Sequence, residues 1–268
     1  MTFPALTVLA SIASALIAVP YSAVAAPVTL QFSAIQDTTL FDDAVDASNG
    51  AGAHFHAGYV RRGGFERRAL VRFDLGNFVP EAAKVISASL RLYVDRFGDQ
   101  GDESFSLHRL TNDWGEGTSD NGGIGQGAPA TRDDATWTTR FVGTPGTSWL
   151  IAGGDFVAAP SASAGVLSDG YVNWVSPTLI EDIDQWRLTP ASNHGWLLKA
   201  DRVSVASVRR FASSETAVAE RAPQLSITYE TRALGVPEPG TSLLFAGVLA
   251  AAASGLRKVR TVARPFLH

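Results

Sequence analysis

Four oxygen-bearing side chains, Asp42, Asp43, Asp46 and Asn49, crowd eight residues between two stretches that alternate like β-strands. Hard oxygen ligands on an irregular loop suit Ca²⁺, which takes about six to eight of them and tolerates uneven geometry. Asp37 precedes them closely enough to add another. The spacing matches no EF-hand, and the same residue types also make an ordinary solvated acidic turn.

A second constellation starts at Asn112-Asp113-Trp114-Gly115-Glu116 and opens a Gly- and Asp-rich excursion that runs to Gly170 and also holds Asp120, Asp133, Asp134, Trp137 and Trp149. Aromatic rings stack on the apolar faces of pyranoses, and carboxylates accept hydrogen bonds from sugar hydroxyls. Trp114 and Trp149 with Asp113 and Glu116 therefore form a candidate glycan platform. The competing assignment makes these rings core plugs beneath a long loop. Alternation within Ala135–Thr139 assigns Trp137 to the core and leaves Trp114 and Trp149 open between the two roles. His54 and His56 stand two apart on a predicted strand and so share a face, but no third metal ligand is placed beside them. Arg67, Arg68 and Arg72 near Asp74 read as ion pairing on a strand face.

Catalytic patterns are missing. There is no Gly-x-Ser-x-Gly, no His-Glu-x-x-His and no phosphate-cradling Gly motif. The chain is expected to be non-catalytic. Cleavage of a polysaccharide by loop carboxylates remains the alternative, because the separation of such a pair is set by the fold. A purely structural or adhesive module is the third reading.

These residues need elements to position them. Period-two alternation bounded by Gly, Asp, Asn and Pro recurs at 28–32, 54–60, 69–74, 88–94, 105–110 and 135–139, and three closing strands are expected at 195–199, 205–211 and 224–229. Leu70, Arg72 and Asp74 share one face and Val71 and Phe73 the other, which predicts one wet and one buried side. One helix is predicted: Ser176 caps it, Pro177 takes its first turn, Leu179, Ile180, Ile183 and Trp186 form its apolar stripe, and Pro190 ends it. The expected class is all-β, an antiparallel β-sandwich (jelly-roll-like) with one short amphipathic helix.

The two ends read differently from this body. Residues 1–26 lack charge, run apolar from Ala5 to Val19 and turn small at Ala23-Val24-Ala25, the pattern of a secretory signal cut after Ala25. Leu243–Leu256 is an unbroken apolar or small run followed by Arg257, Lys258, Arg260 and Arg264. Its fourteen residues would rise about 21 Å as a helix, short of a ~30 Å hydrocarbon core. Between the ends, eighteen Lys and Arg face twenty-five Asp and Glu, a net of −7. That balance argues against nucleic acid or an anionic membrane surface as partner. Absence of cysteine removes disulfides, thiolate metal sites and a Cys nucleophile.

Pro237-Glu238-Pro239, the apolar run and the basic end together resemble the PEP-CTERM sorting signal of Gram-negative bacteria. The resemblance implies an exported protein, processed by an exosortase-type membrane protease, that touches the membrane only through this tail. In the body, Asp37-Thr38-Thr39-Leu40, Ser48-Asn49-Gly50-Ala51-Gly52, Arg67–Leu75, Ser87–Tyr93, Asp113–Gly117, Ala135-Thr136-Trp137, Arg210–Glu215 and Ala222–Leu225 follow one another in an order that resembles the DNRLRE-type domain of bacterial secreted proteins. That family implies a β-sandwich related to carbohydrate-binding modules. The sorting tail, the acidic sandwich and the loop tryptophans together lead to the expectation of a non-catalytic surface or matrix protein with extracellular polysaccharide as partner. The expected division is a signal at 1–25, a DNRLRE-like domain at 26–232 and a sorting segment at 233–268.

Overall fold

Alternating apolar residues draw the body into antiparallel strands. The computed structural model describes residues 26–76, 79–80, 82–96, 103–122, 125–204 and 206–231. The signal segment, the apolar tail and the sorting residues Pro237, Glu238 and Pro239 lie outside the described residues. In chain order the strands are β1 (Val28–Phe41), β2 (Ala47–Ser48), β3 (His54–Tyr59), β4 (Glu66–Phe73), β5 (Lys84–Arg96) and β6 (Glu103–Arg109). They continue as β7 (Ala128–Pro129), β8 (Ala162–Val166), β9 (Gly170–Trp174), β10 (Trp196–Ala200), β11 (Arg209–Ala212) and β12 (Gln224–Glu230), with helix α1 (Pro177–Leu188) between β9 and β10.

Two antiparallel layers result. In the first, β12 lies between β1 and β5, β9 flanks the other side of β5, and β11 joins β5 to β3. In the second, β4 lies between β1 and β10, and β6 and β8 follow. Strand β1 serves both, because a bulge between Ala34 and Gln36 turns it from β12 towards β4. The all-β, antiparallel, sandwich-like class is thus as expected. Between the layers, Phe55, Phe73, Phe105, Trp174, Trp196 and Phe211 anchor the main core.

Helix α1 forms where its caps and stripe require. Ser176 Oγ accepts the Leu179 amide at 3.0 Å, Pro177 occupies the first turn, and Leu179, Ile183 and Trp186 are buried in the main core.

Three expectations are corrected. Ala135–Thr139 is no strand; the Thr136 amide bonds the Thr139 carbonyl in a tight turn, which leaves only the Thr139↔Ser148 bridge at its end. The strand expected from 205 begins only at Arg209, because Ala206 takes a left-handed backbone, φ 68°, that no strand accommodates. The face of β4 that carries Leu70 is also not wet. Leu40, Leu70 and Leu197 point away from the main core, and the excursion covers them with Trp114, Trp137 and Trp149 in a second core. Strands β8 and β9 escaped the sequence reading, since Ala, Ser and Gly give the first no apolar alternation.

Candidate functional site

The excursion is built from the inside out by its tryptophans. Trp114, 1% exposed, donates its indole N–H to the His194 carbonyl at 2.9 Å. Trp149, 6% exposed, donates to the Thr136 carbonyl at 2.9 Å. Both rings lie in the second core, so neither offers a face on which a sugar could stack in this conformation. Their expected partners are engaged as well. Asp113 pairs with Arg72 at 2.6 Å and accepts the Trp114 amide. Glu116 accepts the Asp37 amide at 2.7 Å. The four platform residues therefore act here as scaffold.

The five candidate calcium ligands are dispersed. Asp43 pairs with Arg67 at 2.7 Å. The Asn49 amide donates to the His54 carbonyl, and its carbonyl oxygen accepts the Asn121 amide. Asp46 is exposed, and Asp42 lies beside the start of β4, its amide on the Glu66 carbonyl. Asp37 is buried and accepts the Ser214 amide at 2.8 Å. Among the described residues, no group of three His, Asp or Glu is placed to hold a metal ion.

Asp37 instead joins residues far away in the chain. Its carboxylate meets the loop after β11, where Ser214 Oγ also bonds Glu215, while its amide meets Glu116. Burial holds the Asp37 carboxyl well above its ordinary range, and the nearby Glu215 and Glu116 charges raise it further. Burial likewise pushes Glu116 up to about 7, opposed by the Asp37 amide bond and abetted by Glu215. This carboxyl clasp ties β1, the excursion and the last loop together.

A concavity lies elsewhere. A cleft of about 640 Å³ opens where the outer side of the first layer meets the β3–β4 turn. Phe55, Ala57 and Phe211 point into the main core, so alternation turns His56 and Arg210 outward. Register places Arg210 opposite His56 on β3 and opposite Arg96 on β5, one row across three strands. Arg61 and Arg62 reach the cleft from the turn, and Arg67 from β4. Five guanidinium groups thus converge from four chain segments.

Several of these groups are locked in place. Arg210 grips Asp95 with two bonds, 2.7 and 3.1 Å, while Asp95 also accepts from His54 at 2.6 Å. Arg67, 3% exposed, stacks over Phe41 and pairs with Asp43. Arg62 and Arg96 are exposed and make no ion pair among the described residues. His56 is buried enough, and close enough to Arg210, that its imidazole is lowered to about 3 and stays neutral at physiological pH. Tyr59 and Phe65 add aromatic surface to the wall. The far wall closes because residue 58 is glycine: a Cβ there would stand 2.7 Å from the Ser207 carbonyl oxygen, and φ is +111°.

A cationic cleft with aromatic walls has the chemistry to receive an anionic group carried on a ring. Guanidinium forks match carboxylates two bonds at a time, and the neutral His56 can bond a hydroxyl without adding charge. Sequence reading missed this site. The Arg61-Arg62-Gly63-Gly64 tip was a visible cue, an exposed basic turn, but Arg96 and Arg210 reach it only through strand pairing.

Fold and cleft together define a sandwich-like β module with a preformed, arginine-lined cleft. The family model described as carbohydrate-binding module family 96 matches residues 28–121. The matched stretch carries most of the cleft, including His56, Tyr59, Arg61, Arg62, Arg67 and Arg96, and stops short of Trp149 and Arg210. Carbohydrate binding by a non-catalytic module is the coarse reading this similarity supports. No curated protein matches the chain.

Proposed function

We propose that the domain is a non-catalytic polysaccharide-binding module whose arginine cleft takes an acidic glycan, carried by a protein exported to the cell surface or extracellular matrix. The observation that carries this reading is the convergence of Arg61, Arg62, Arg67, Arg96 and Arg210 in one cleft of a body whose net charge is −7. Arg67 is paired with Asp43 and Arg210 with Asp95, and five guanidinium groups against these two carboxylates keep an excess of positive charge where a polyanion can enter. The signal at 1–25 and the Pro237-Glu238-Pro239 segment support an extracellular setting, with an exosortase-type protease as processing partner and exopolysaccharide as ligand.

Titration of the full chain with polygalacturonate, and with a neutral glucan for comparison, tests the cleft. The acidic polymer is expected to bind more tightly, and less so as salt is added. Arg62→Ala with Arg96→Ala is expected to weaken that binding by about 2 kcal/mol or more, as loss of charge-assisted bonds does. Unchanged binding in the double variant would remove the cleft from the proposal.

A further inference from the structure

Taking the cleft as an acidic-glycan site, we infer that the same anionic chain continues out of it along β5 onto a second subsite, a platform of Arg91, Tyr93, Tyr171 and Arg221 on the outer side of the first layer. Leu90, Leu92 and Val94 turn into the main core, so Arg91, Tyr93 and Asp95 point outward. On neighbouring β9, Trp174 is core, and register sets outward Tyr171 opposite Tyr93 and Asn173 opposite Arg91. The two tyrosine rings meet edge to face at 5.0 Å. Arg91 stacks over Tyr171 at 4.6 Å, and Arg221, from the turn before β12, stacks over Tyr93 at 4.4 Å. The groups are also tethered: the Tyr171 hydroxyl donates to the Glu220 carbonyl at 3.1 Å, and Arg91 donates to the side-chain carbonyl of Gln224.

Charge marks the platform as more than a brace. Among the described residues no carboxylate pairs with Arg91 or Arg221; a neutral amide and two ring faces are their partners. By contrast Arg67, Arg68, Arg72, Arg109 and Arg210, also on strands, each hold an Asp or Glu. In a body of net charge −7, two guanidinium groups kept clear of carboxylates and fixed over one ring pair offer forked donors to an incoming anion. Tyr171, 48% exposed, adds ring surface for the apolar face of a sugar. The platform is also continuous with the cleft. Beyond Tyr93 the outward row reaches Asp95, which Arg210 and His54 hold, and then Arg96 at the cleft's edge. Five residues of one strand separate Arg91 from Arg96, a span of about 16 Å, longer than one sugar and suited to a chain lying along β5. Both stations carry the same charge, so a repeating polyanion satisfies both, whereas a small anion fills only one.

Titration calorimetry of the full chain with digalacturonate and with octagalacturonate, at low salt, tests the continuation. The short ligand fills the cleft alone and the long one reaches both stations, so octagalacturonate is expected to bind at least about a hundredfold more tightly. Arg91→Gln with Arg221→Gln removes the platform's charge and is expected to weaken octagalacturonate by about tenfold or more, with digalacturonate held within about twofold. Arg62→Ala with Arg96→Ala is expected to weaken both ligands. Should the platform variant lower the melting temperature, Asn173→Asp, at an exposed position opposite Arg91, sets an anion beside the platform and is expected to give the same length-selective loss. Octagalacturonate affinity retained in a folded platform variant, or lost equally for both lengths, overturns the continuation; if the cleft variant still weakens both ligands, the cleft stands without it. Loss of octagalacturonate in the platform variant with none in the cleft variant overturns the cleft and, with it, a chain shared by the two. No binding of either ligand to the wild-type chain overturns both.

Discussion

Trp114 and Trp149 show how the same side chain answers two chemical questions differently once its surroundings are known. Each seats its indole N–H on a backbone carbonyl and gives its ring to the second core. Trp114→Ala or Trp149→Ala is therefore expected to cost about 3–5 kcal/mol of stability, measured by denaturant unfolding, with glycan affinity of the folded protein retained. A variant of undiminished stability that no longer binds glycan would return these rings to the platform role. Glu116 supplies a second residue-scale test. Its carboxyl, pushed up to about 7 chiefly by burial, holds a proton more firmly in the folded than in the unfolded chain, where its ordinary value is 4.5. Its contribution is full below that ordinary value and is lost as pH rises through the folded one. Stability is thus expected to decline between about pH 4.5 and pH 7 in the wild type, and Glu116→Gln is expected to reduce that slope in melting curves taken across this window. An identical slope in the variant would place the pH response in another group.

Helix α1 carries its main consequence at the scale of elements. Its apolar stripe was readable, but Asp182 lies on the buried side and binds three neighbours. Its carboxylate accepts Ser161 Oγ and the Trp196 indole N–H, the latter at 2.8 Å, and pairs with Arg109 at 2.9 Å. One buried charge thereby ties the helix to β6, to β10 and to the segment entering β8. Asp182→Ala would leave Arg109 and the Trp196 N–H without this acceptor, so a loss on the order of 3 kcal/mol is expected in equilibrium unfolding. Asp182→Asn keeps an acceptor for the indole and is expected to cost less. Equal losses would mean that packing, not the charge, holds the joint.

At the scale of the whole molecule, the described body spans Ala26–Thr231 as one compact unit, with the proposed signal and sorting segments at the chain's two ends. Among the described residues, no helix is long and apolar enough to cross a membrane. If both terminal segments are processed as their composition suggests, mass spectrometry of protein from the native host should find a start at Ala26 and an end near Pro237–Gly240. Recovery of the intact chain would defeat both sorting proposals. The proposed glycan cleft, lined by Arg61, Arg62, Arg67, Arg96 and Arg210, belongs to that body.

Local pattern alone determined the strand periodicity, the capped helix and the three-part composition of the chain. Each of these follows from neighbours within a few residues: alternation from the pleat, the cap from Ser176 and Pro177, the terminal segments from runs of uniform polarity. Pairing across the chain decided the rest. Whether Leu70 faced water depended on the excursion folding over it. Asp37 left the acidic run that follows it and met Glu116 and the loop at Ser214. Arg96 and Arg210 became neighbours of Arg62 only when β5, β11 and β3 came into register. A cleft lined by charges from distant segments leaves no spacing to read, because its geometry is set by which strands pair, and strand pairing is a contest of burial over the whole core.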